Sequence, residues 1–163
     1  MRIAQAAFSF LVVNPFVFRA DWAWGLPLIV LTVVIHVAGL ALVSQRLIQF
    51  TKGSIVRRHP MAALVVVVGA TTLLATCLHG LEAGIWATAY WLLGALPGFR
   101  TSMLYSLNAI TSYGHTNLTL EGHWELMGAL EALNGWLLFG LTAAFLFAVV
   151  QKVWALGNDG RPQ

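Results

Sequence analysis

Three apolar stretches, each long enough to cross a lipid bilayer, constrain this chain more than any other feature; the first, "GLPLIVLTVVIHVAGLALV" from Gly25 to Val43, carries no charge. A hydrocarbon core about 30 Å thick takes roughly 20 helical residues. The expected fold is therefore an all-α membrane protein. Composition agrees: 59% of residues are hydrophobic and 9% charged, against roughly a quarter charged in soluble domains. The net charge of +3 comes from basic residues beside apolar segments, where they act as topology signals, and no nucleic-acid partner is expected. The lone Cys77 lies in an apolar run and reads as a packed thiol.

Residues 1–24 are apolar but interrupted by Asn14 and Pro15, and they end in Arg19, Asp21, Trp22 and Trp24, as an interfacial helix would. A cleaved signal peptide is the competing reading; it has only Arg2 as its basic region and lacks an evident small-x-small site. Residues 25–59 form the first span, with Pro27 at its start, and a loop bearing Arg46, Lys52, Arg57 and Arg58, which the positive-inside rule makes cytoplasmic. His36, with no acidic residue in its own span, reads as a hydrogen-bonded packing residue. The second apolar segment runs from Pro60 to about Leu96, roughly 54 Å at helical rise, so it must tilt, break or project, with Gly80, Gly84 and Gly94 as bending points. The third runs from about Trp124 to Trp154, leaving 155–163 as a short cytoplasmic tail. This order puts the N-terminus and the 97–123 connection outside.

That external connection is unusual. After Pro97-Gly98, Thr101 or Ser102 is placed to cap a short helix, "TSMLYSLNAIT", with Met103, Leu104, Leu107 and Ile110 at helical spacing. It is too short to cross. A short helix followed by the polar "TSYGHTN" describes a re-entrant loop, which membranes tolerate where backbone is buried in protein or lines a cavity. The negative end of the helix dipole would favour a cation beyond it.

From about residue 60 to 153 the order of span, short turret, short helix, polar loop and span resembles the pore module of small bacterial potassium-channel-like proteins of the two-pore-domain/ion-channel superfamily. The resemblance implies three transmembrane helices plus a re-entrant pore helix and filter loop, assembled as a homotetrameric channel in the cell inner membrane, with residues 60–154 as the pore module. Laid on the family's TTVGYGD, Thr111, Ser112, Tyr113, Gly114, His115, Thr116 and Asn117 become the ion-conducting filter, and only Thr111 and Gly114 are identical. Gly114 supplies a reversed backbone hand cheaply, whereas Thr116 does so at a cost of roughly 1 kcal/mol or more. His115 adds a group that titrates near neutrality, and Asn117 removes a negative charge at the mouth. The expected function is passive cation permeation, monovalent or divalent, with potassium selectivity weakened; a non-conducting pseudo-channel with a structural or regulatory role is the alternative.

Gly135 and Gly140 are the expected inner-helix hinge, Phe145, Phe147 and Val150 a candidate hydrophobic gate, and Glu121 and Glu125 candidate external acidic rings. His115 and His123 make the outer mouth a candidate pH-sensitive region, and Asn117-Leu118-Thr119 matches a glycosylation sequon. His79 and Glu82 stand at i,i+3 in the second span, and ionisable residues at that depth call for a function. A metal site there would need at least one more ligand, for which Glu131 of the third span is the candidate; with Glu131 and Asn134 they make a polar network supporting the pore helix, which is the preferred reading, with no metal or cofactor beyond permeant cations. No arginine ladder marks a voltage sensor, and nucleophile motifs and phosphate-binding loops are missing, so an enzyme is the least supported class.

Overall fold

The computed structural model describes residues 15–51, 60–114, 118–120 and 124–158, and these are all-helical, with no strand among them. Four helices follow in order: α1 Pro15–Thr51, α2 Pro60–Leu92, α3 Phe99–Ile110 and α4 Glu125–Asn158. Three segments are long and apolar enough to cross a membrane, Arg19–Arg46, Met61–Leu92 and Glu125–Ala155. The chain is a membrane protein by this criterion. Its large side chains on the helix surfaces, among them Val34, Leu42, Val65, Leu73 and Phe139, are exposed as lipid-facing residues would be.

The helix boundaries depart from the sequence expectation in three places. α1 starts at Pro15, ten residues before Gly25, and runs through Pro27 rather than starting beside it. Proline fits the first turn, where Pro15 sits, and the loss of one backbone donor at Pro27 is tolerated inside membrane helices. α2 stops at Leu92 instead of continuing to Leu96. Gly94, at φ 68, reverses the chain there, with Ala95 N–H donating to the Tyr90 carbonyl at 2.9 Å and Gly94 N–H to that of Trp91 at 3.2 Å. Paired bonds of this kind around a left-handed residue satisfy the last free carbonyls of a helix.

α3 begins at Phe99 with Gly98 as its cap, at φ 82 and ψ 151, and no side chain caps it. Ser102 does not serve as the expected cap because it lies one turn inside, where its hydroxyl donates back to the Gly98 carbonyl at 3.1 Å. The C-terminal end closes on Ser112, at φ 54, with Tyr113 N–H donating to Asn108 and Ser112 N–H to Ala109. This is the same paired-bond stop as at Gly94, built on a serine where glycine is the usual choice.

The contacts fall into two units. One comprises residues 1–32 with 83–135, and the other 33–82 with 136–163. The first has a core of Trp86, Tyr90, Tyr105, Trp124, Met127 and Leu130, against which Leu28 and Ile29 pack. The second has a smaller core of Val67, Val149 and Val153, flanked by Leu64 and Phe145.

Candidate functional site

Within the first unit, α3 is inverted relative to a soluble amphipathic helix. Its buried residues are Ser102, Tyr105, Ser106, Ala109 and Ile110, while Leu104 and Leu107 are exposed. The hydroxyls of this face find partners inside the protein, and the leucines lie on its outer surface. The Ser106 hydroxyl meets both the Ala83 carbonyl of α2, at 2.7 Å, and the Glu131 Oε1 of α4. Glu131 Oε2 accepts from the Tyr90 hydroxyl of α2 at 2.7 Å. One carboxyl thus ties three helices together.

Glycine makes that approach close. Gly128, Glu131 and Gly135 lie on one face of α4 by their spacing of three and four residues. A Cβ at Gly128 would strike the Tyr105 hydroxyl, and one at Gly135 would strike the Ile110 carbonyl. Nearby, Asn134 Nδ2 donates to Thr32 Oγ1 at 2.8 Å, and that hydroxyl donates to the Leu28 carbonyl at 2.9 Å.

The loop that follows α3 is open. Thr111, Ser112, Tyr113 and Gly114 are exposed, Tyr113 at 84%. Backbone hand reverses at Ser112 and again at Gly114, φ 54 and φ 89, with Tyr113 between them. His115, Thr116 and Asn117 lie outside the described residues, as do Glu121, His123, Lys52, Arg57, Arg58 and residues 1–14.

In the second unit the structure gathers a cluster that the sequence did not reveal. His36 of α1, His79 and Glu82 of α2 and Thr142 of α4 form a ring. Glu82 Oε1 is 2.8 Å from His36 Nδ1, and Oε2 is 3.3 Å from His79 Nδ1. On the far side of the two imidazoles, Thr142 Oγ1 lies 2.9 Å from His36 Nε2 and 3.2 Å from His79 Nε2. His36 and Glu82 are fully buried, whereas His79 is 29% exposed.

Of the four residues expected in one support network, Glu131 and Asn134 make the first-unit bonds above, and His79 and Glu82 belong to this ring. His36 is buried and hydrogen-bonded, but its partner is the acid Glu82, 46 positions away on another helix. No spacing within its own span signals that pairing. Cys77 corrects an expectation: it is a free, exposed thiol, because the helix turns it away from the face that carries His79 and Glu82. Gly135 is held against α3, whereas Gly140 has open space around it. Phe145 packs on the second core, while Phe147 and Val150 are exposed, as is Glu125 in the first turn of α4.

Comparison of the chain with protein-family models, with curated proteins and with solved structures returned no match. The functional reading therefore rests on the geometry of the chain itself.

Proposed function

We propose that this chain is one subunit of a cation-conducting membrane pore, with residues Thr111 to Asn117 lining its narrowest part. The observation that carries this reading is α3: a 12-residue helix, too short to span, docked by Ser106 and Tyr105 between two spanning helices and delivering an exposed polar loop. Such a hairpin has few uses in a bilayer except to place unpaired backbone where water or ions meet it. The backbone reversal at Gly114, two residues past the Ser112 helix stop, supports a loop whose carbonyls can be aimed inward as pores do when they replace an ion's water shell. The exposure of Tyr113 and the loop in a single chain fits a wall completed by further copies, and a ring of four with α3 pointing to the axis is the proposed assembly. Membrane insertion with the loop outside and the 155–163 tail in the cytoplasm follows from the basic residues between α1 and α2.

The test is cation flux into vesicles containing the purified chain. Selective uptake of potassium, sodium or a divalent ion that scales with protein supports the proposal. No flux for any ion between acid and neutral pH, with flux appearing in His115→Tyr combined with Thr116→Gly, would identify a non-conducting scaffold.

A further inference from the structure

The ring of His36, His79, Glu82 and Thr142 lies apart in sequence from the loop and is not used by the permeation reading. Its proton inventory is constrained. A neutral imidazole has one N–H and one lone pair. If both histidines donate through Nε2 to the Thr142 oxygen, both Nδ1 lone pairs face the Glu82 carboxylate, which only a cation between them relieves. If both donate through Nδ1 to Glu82, the single Thr142 proton serves one Nε2 and leaves the other lone pair facing an oxygen. With one histidine donating through Nδ1 and the other through Nε2, one additional proton, on a histidine or on Glu82 itself, satisfies all four contacts. With Glu82 ionised the ring is therefore one positive charge short, which either a bound proton or a metal ion supplies.

Two observations fit a metal. Glu82 Oε2 is buried, and its pairing with His79 Nδ1 is long, at 3.3 Å. The donor atoms of His36, His79 and Glu82 also all lie within 4.8 Å of one another. Nitrogen and oxygen ligands stand about 2.0–2.2 Å from zinc, so in a tetrahedron they are roughly 3.3–3.6 Å apart; the 2.8 and 3.3 Å separations, which run to the two different Glu82 oxygens, lie near that range, and binding through a single oxygen requires donor atoms now within 4.8 Å of one another to close around it.

We propose that His36 Nδ1, His79 Nδ1 and a Glu82 oxygen form a three-ligand site for a divalent transition cation of the zinc class, with the fourth position open. Two imidazoles and one carboxylate suit zinc, cobalt or nickel and not magnesium or calcium, which take oxygen. Thr142 serves as the outer partner of both rings: accepting from both Nε2–H groups, it holds each histidine in the tautomer that frees Nδ1 for the metal.

The test uses the full chain in detergent, stripped with a chelator, in a Cys77→Ser background so that the exposed thiol does not compete. Cobalt titration should give the visible bands of a tetrahedral ion at one equivalent per chain, displaced by zinc, with sub-micromolar zinc affinity. His79→Ala, at the least buried ligand, should weaken zinc binding at least 100-fold while leaving helicity and gel-filtration behaviour intact. Thr142→Val should weaken it roughly 10–100-fold, the range for loss of an outer-shell partner. Absence of tetrahedral cobalt bands, or zinc affinity unchanged in His79→Ala, overturns the site and assigns the positive charge to a proton.

Discussion

Gly135 of α4 faces the carbonyl of Ile110, the last residue of α3, so closely that a methyl group has no room between them. The obstacle is backbone and does not swing aside. Gly135→Ala should therefore cost about 1–3 kcal/mol, the usual range for overpacking, read as a lower thermal midpoint in detergent. Gly140→Ala, at a position with open space, should be neutral or stabilising by up to about 1 kcal/mol because alanine favours helix.

Gly128 meets a softer neighbour, the Tyr105 hydroxyl. Gly128→Ala should be milder than Gly135→Ala, and Tyr105→Phe should restore part of the loss by removing the atom in conflict. A double-mutant cycle by thermal unfolding checks this, and strict additivity would contradict the contact.

Glu131→Ala should destabilise the fold by roughly 2–4 kcal/mol, since it strips the Tyr90 hydroxyl of its acceptor and Ser106 of one of two. Glu131→Gln, which keeps an acceptor oxygen and similar volume, should retain more than half of that stability in the same melting experiment.

Burial, aided by the carboxyls of Glu131 and Glu125, pushes the Tyr105 phenol up to about 12. An unfolded tyrosine releases its proton near pH 10, so the folded chain holds its proton more tightly. The resulting stabilisation is complete below about pH 10 and fades as pH rises through about 12. Melting temperatures of the wild type should fall more steeply over that alkaline window than those of Tyr105→Phe.

At the loop, Gly114 holds φ 89, a conformation that costs an L-residue with a side chain roughly 1–2 kcal/mol. Gly114→Ala should reduce cation flux at least about tenfold if four copies of the loop form one constriction, because each copy contributes its own cost. Flux equal to the wild type would remove Gly114 from the conducting wall.

The spanning helices were legible because a bilayer reads length and hydropathy directly, and the short helix was legible from the Pro97-Gly98 stop and its brevity. Its orientation was not. Leu104 and Leu107 recur at helical spacing and look like a core stripe, yet they face outward. Periodicity reports which residues share a face, while the surrounding solvent decides whether that face is inside. The histidine ring escaped for another reason: His36, Glu82 and Thr142 come from three helices, and nothing local to His36 points to them. His79 and Glu82 stood out only because their i,i+3 spacing put two ionisable groups in one span.

The knot around Glu131 also sets an order of manufacture. An unpartnered carboxyl in a membrane helix is costly to insert, about 2.5–3.5 kcal/mol at the helix centre and less toward its end, where Glu131 lies six residues into its span. The chain emerges N-terminus first, so Tyr90 and Ser106, which give their hydroxyls to Glu131, leave the ribosome before it does. The acid is the last member of its group to be made, and it enters a bilayer where its partners are already waiting; a permuted gene beginning with α4 would ask the insertion machinery to accept it with no partner at all.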